Sequence, residues 1–159
     1  MADAMAGWRA LRAVLAPGGV MFIGLYSETG RADIVAARAE IARRGLKPDA
    51  DGIRAFRAEL LADPAPSGWR AALLANDDFY SLSNCRDLLF HGHEQRFTLS
   101  GVAAALAALD LRFIGFVGVP AEAWAACGRD LVAWAEWEAR HPQTFARMYQ
   151  FYCAPNRQD

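Results

Sequence analysis

His91, His93 and Glu94 stand within four residues of one another, between Phe90 and Phe97. A His-x-His pair beside a carboxylate has the donor types of a metal site. An imidazole near its neutral-pH transition, or a carboxylate beside it, can also move a proton. The spacing is not that of a helical His-Glu-x-x-His pair and no distant ligand completes the set, so no metal is assigned. His91 and Glu94 remain candidates for proton transfer, against a role in fixing the loop between two helices. A metal-dependent hydrolase built on His91, His93 and Glu94 is the least favoured of three functional readings. Upstream, Arg86 can face a ligand anion or pair with Asp87. Cys85 beside Arg86 has the setting for a lowered thiol pKa, but no base is placed next to it. Tyr26 and Ser27 close an apolar run with two hydroxyls able to contact a substrate.

These residues need elements to position them. Val20 to Tyr26 carries no charge and no polar alternation, which predicts a strand covered on both faces in an open α/β sheet. Ligands of such sheets sit beyond the carboxyl ends of the strands, which puts Tyr26 and Ser27 at the working edge. Met5 to Leu15 reads as the helix before it, stopped by Ala16-Pro17-Gly18-Gly19. Helices are predicted over Arg31–Arg44, Ile53–Leu61 and Trp69–Leu74, as an insertion lying over the sheet edge. Ser83 is expected to cap a helix reaching Phe90, and Thr98 a helix over Leu99–Leu109. Leu111–Val117 reads as a strand, Asp130–Arg140 as a helix with Leu131, Trp134 and Trp137 apolar, and Met148–Cys153 as a last strand. Pro120 suits the first turn of a further helix. Gly24 suggests the close approach of a helix, a backbone or a ligand. Trp8, Trp69 and Tyr80 are expected to pack rather than to stack on a ligand.

The chain has 159 residues, enough for one domain with a core. Its net charge of −1 recommends neither nucleic acid nor an anionic membrane as a partner. No apolar run approaches the ~20 residues of a membrane span, and no signal peptide is evident. Three widely spaced cysteines fit free thiols in a reducing, cytoplasmic setting. Gly18-Gly19 lacks the further glycine of a phosphate cradle.

Several stretches together resemble one family. These are Trp8-Arg9-Ala10-Leu11, Leu15-Ala16-Pro17-Gly18-Gly19, Ile23-Gly24-Leu25-Tyr26-Ser27, and Cys85-Arg86-Asp87-Leu88-Leu89-Phe90-His91 with Glu94 and Arg96-Phe97-Thr98. The tail Phe145-Ala146-Arg147-Met148-Tyr149-Gln150-Phe151-Tyr152-Cys153 joins them. They are similar to the C-terminal half of class I S-adenosylmethionine-dependent methyltransferases, closest to bacterial members often fused behind tetratricopeptide repeats. The resemblance runs from Met1 to about Cys153. Ala4 departs from it, since a proline often stands at that place in the family.

The resemblance implies an α/β fold: a partial Rossmann-like methyltransferase sheet with helical insertions. Val20–Tyr26 would be its fifth strand, Leu111–Val117 its sixth, and Met148–Cys153 its seventh, antiparallel to its neighbours. Residues 31–75 would be the helical insertion. The implied cofactor is S-adenosylmethionine. Its glycine-rich turn and ribose-holding acid belong to the first half of the fold, so no cofactor-binding residue is expected within 1–159. Tyr26, Ser27 and Arg86 become candidates for the acceptor side, with His91 and Glu94 as catalytic candidates. The methyl acceptor is unknown. Without the first half, the fifth strand would expose an apolar edge that invites a homodimer or a partner supplying the missing strands. Two readings follow: a methyltransferase fragment inactive alone, or a non-catalytic interaction module dimerising through that edge.

Overall fold

The computed structural model describes residues 4–90, 94–146 and 148–156. The chain forms two compact units, one from residues 1–30 with 95–159 and the other from residues 31–94.

The first unit opens with α1 (Ala4–Ala13) and β1 (Met21–Ser27). Between them Gly18 takes a φ of 75°, which a Cβ would strain, and ends the turn that reverses the chain. The second unit follows. It holds α2 (Ala32–Arg43), α3 (Ala50–Leu61), α4 (Trp69–Leu74) and α5 (Leu82–Phe90), with a 3-10 turn over Asp77–Tyr80. The chain then returns through β2 (Arg96–Phe97), α6 (Leu99–Ala108), β3 (Leu111–Phe116), α7 (Ala121–Cys127), α8 (Leu131–Arg140) and β4 (Tyr149–Pro155).

The four strands form one sheet in the order β2-β1-β4-β3. β4, last in sequence, lies between β1 and β3 and runs antiparallel to both. The final strand is thus antiparallel to its neighbours, as expected. β2 was not expected: it is a two-residue parallel pairing of Arg96 with Tyr26 and Phe97 with Ser27. Its brevity hides it from any periodicity. Trp8, Met21, Ile23, Val102, Leu106, Phe113, Trp134 and Phe151 pack into one core against α1, α6, α7 and α8.

The reading of β1 as covered on both faces is corrected by its burial. Met21, Ile23 and Ser27 are buried, whereas Phe22, Gly24 and Tyr26 are exposed. All the helices of this unit that share the core lie with one face of the sheet. Phe22 meets Tyr152 of β4 on the other, at 5.1 Å between ring centroids. The run lacks polar alternation because its outward positions are aromatic or glycine, not because they are covered. Among the described residues, a Cβ at Gly24 would meet only the Met148 side chain, at 3.6 Å.

The helical unit has its own core, centred on Ile34, Ile41, Ile53, Phe56, Leu60, Leu73, Phe79, Cys85 and Leu89. It contains the stretch 31–75 and continues through α5, which packs on α2 and α3. The Asp49 side chain accepts from Gly52 N–H, so α3 begins at Ala50, earlier than expected. Ser83 is not the cap of α5: the helix begins at Leu82, and Ser81 Oγ accepts from Asn84 N–H at 3.4 Å. Thr98 caps α6 as predicted, accepting from Gly101 N–H. Trp69 stacks parallel to Phe56, and Trp8 packs against Phe151. No helix among the described residues is long and apolar enough to cross a membrane.

Candidate functional site

The carboxyl end of β1 is organised by a carboxylate that the sequence did not advertise. Glu138 sits on α8 one turn beyond Trp134, and that spacing turns both side chains into the core. Only 7 % of Glu138 is exposed. Its Oε1 accepts from Ser27 Oγ at 2.9 Å and from Tyr149 Oη at 2.8 Å; Oε2 lies 2.9 Å from the same Tyr149 hydroxyl. Ser27 Oγ in turn accepts from Gly30 N–H at 3.0 Å. A buried carboxylate is tolerable only when hydrogen-bonded, and these hydroxyls supply the bonds. Burial raises the Tyr149 pKa well above the usual phenol value; the Ser27 contact opposes this and the neighbouring Glu138 adds to it. Tyr149 is therefore a fixed donor, not an acid near neutral pH. The network ties the ends of β1 and β4 to the last turns of α8.

The two candidate hydroxyls at this end separate. Ser27 is fully buried in the network, while Tyr26 is exposed on the open sheet face. Neighbours in a strand point to opposite faces, so they cannot act on one ligand as a pair. Gly30 closes the loop behind Ser27: a Cβ there would lie 2.3 Å from the Phe145 carbonyl oxygen.

In the helical unit, Glu94 is held by two guanidinium groups. Arg31 pairs with both its oxygens, its Nε at 3.1 Å from Oε1, and Arg38 Nη2 reaches Oε2 at 3.1 Å. Arg38 also donates twice to the Leu88 carbonyl. The Glu94 side chain is 5 % exposed. This is a clasp between the first and last residues of the unit. Arg86 lies exposed on α5. His91 and His93 lie outside the described residues.

The three cysteines are free and buried. Burial raises the pKa of Cys85 and Cys127 and pushes Cys153 up to about 11, so each favours the thiol. His141 is stacked on Trp137 at 4.2 Å. Among the described residues no group of three or more His, Cys, Asp or Glu side chains could hold a metal ion.

The structure thus brings Ser27 together with Glu138 and Tyr149, and Glu94 together with Arg31 and Arg38. It does not bring Ser27 and Tyr26 to one surface. No protein-family model matches the sequence, and no curated protein matches it.

Proposed function

We propose that this chain is the C-terminal, acceptor-side part of an S-adenosylmethionine-dependent methyltransferase domain, with the cofactor-binding strands supplied by other polypeptide. The observation that carries the reading is the placement of β4. The last strand in sequence runs antiparallel between two strands that are parallel to each other. The family resemblance likewise makes the last strand, its seventh, antiparallel to its neighbours.

The loop after β1 is closed on itself by the Gly30–Ser27 hydrogen bond and packed against the Phe145 carbonyl. The acid at that end, Glu138, accepts from the Ser27 and Tyr149 hydroxyls. What these residues do is fix the carboxyl end of β1, the edge at which α/β sheets receive their ligands. Tyr26 is the candidate acceptor-side group that remains accessible there.

The test is photolabelling. Native protein from its own cells is irradiated with S-adenosylmethionine carrying a radioactive methyl group, and the labelled species are sequenced. The reading expects label on a longer chain, or on a tight complex, that contains these residues, and no cofactor binding by the 159-residue chain alone. Folded native species that contain these residues and never take label would overturn it.

A further inference from the structure

The two sides of the sheet are built differently. At one edge β3 is irregular: its register with β4 shifts between Phe113 and Gly115. It also carries an exposed Arg112, and Arg129 Nε donates to its Ile114 carbonyl at 3.3 Å. Bulges and charges of this kind obstruct the addition of another strand. On the other side, β2 takes only Tyr26 and Ser27 of β1. Met21–Leu25 pairs with β4 alone among the described residues, in unbroken register from Met21–Cys153 to Leu25–Tyr149. It has no charge, no proline and no bulge. Beside it, exposed Leu11, Val14, Val20 and Phe22 line an apolar cleft of about 300 Å³.

We propose that Met21–Leu25 is a strand-addition edge whose occupant is a second copy of this chain, paired antiparallel about a two-fold axis at Ile23. A two-fold interface must be self-complementary. Here the axis sets Met21 opposite Leu25 and, twice over, Phe22 opposite Gly24. The exposed ring of each copy then covers the bare backbone of the other, a pairing that favours glycine-containing strands. Pro17 to Ser27 carries no charged residue, so no like charges meet across the axis. β2 bars pairing at Tyr26 and Ser27, which limits the copies from sliding out of this register. The inference concerns the chain as it stands and does not rest on the methyltransferase reading; a completing strand would compete for the same edge.

The test is sedimentation equilibrium of the 159-residue chain, with amide exchange at Met21–Leu25. The expected result is a species of twice 17.4 kDa at tens of micromolar protein, with exchange at those amides slowing as concentration rises. Phe22→Lys should weaken the dimer by about tenfold or more. Gly24→Lys serves as a second edge variant should the first not fold. Arg112→Glu, on the opposite edge, should leave the dimer intact. A monomer at about 100 µM, or a dimer indifferent to the folded edge variants, would overturn the proposal.

Discussion

Ser27 Oγ lies 2.9 Å from Glu138 Oε1, although 111 positions separate the two residues in sequence. The contact joins the end of β1 to α8, the last α-helix among the described residues. Removing the carboxylate leaves the Ser27 and Tyr149 hydroxyls buried without their acceptor. Glu138→Ala should therefore cost about 2–4 kcal/mol. Glu138→Gln, which keeps a carbonyl acceptor, should cost less. Urea unfolding of both variants checks this, and equal losses would count against the hydrogen bonds as the cause.

The clasp at Glu94 yields a prediction of place as well as size. Glu94→Gln removes the negative charge that the Arg31 and Arg38 guanidinium groups share in a nearly buried site. Breaking a buried pair on one side costs about 3–5 kcal/mol. The loss should appear as faster hydrogen exchange in α2 and α5, with exchange in β1, β3 and β4 unchanged. Loss spread evenly over both units would refute a local clasp.

Two glycines should respond oppositely to alanine. At Gly30 the new Cβ would lie 2.3 Å from the Phe145 carbonyl oxygen, and backbone must move. Gly30→Ala should cost about 3 kcal/mol or more. At Gly24 the methyl would meet Met148 at ordinary contact distance, and the strand would lose less entropy on folding. Gly24→Ala should stabilise by about 0.5–1 kcal/mol. Thermal midpoints of the two variants should move in opposite directions.

Alkaline pH should destabilise the protein through its buried thiols and phenol. Cys153 is pushed from 9.0 to about 11 by burial. Between those values the unfolded chain gives up a proton that the folded chain keeps, so stability falls as pH rises and levels off above about 11. For Cys153 alone the loss amounts to about 3 kcal/mol. Tyr149 is raised as well and acts in the same direction above its ordinary value of 10.0. Urea unfolding at successive pH values above 8 checks the sign, and Cys153→Ala should flatten the slope.

Much of the architecture was legible because its signals are local. Asp130 accepts from Val132 and Ala133 N–H, Thr98 from Gly101 N–H, and the strands around Ile23, Phe113 and Phe151 are short, mainly apolar stretches between clear stops. What failed were inferences about surroundings. A charge-free strand looks the same whether aromatic side chains such as Phe22 and Tyr26 face solvent or a helix. Glu138 carried a faint signal, an acid four residues after a buried tryptophan, but acids at that spacing are mostly solvated. Ser27 was singled out for its place at the strand end, and the structure explains that end through partners far along the chain. The pairing of Glu94 with Arg31 and Arg38 depends on residues that only folding brings together.

β2 is two residues long, yet it decides how the chain can vary. It sets Phe97 beside Ser27, and Glu28 N–H donates to the Phe97 carbonyl at 2.9 Å. The points where the polypeptide leaves the sheet unit and rejoins it are therefore neighbours, fixed by backbone bonds that ignore side-chain identity. The sheet unit thus holds both attachment points of the Arg31–Glu94 unit in one place. That unit can be shortened, lengthened or exchanged in the laboratory while the register of β1 with β2 stays as it is.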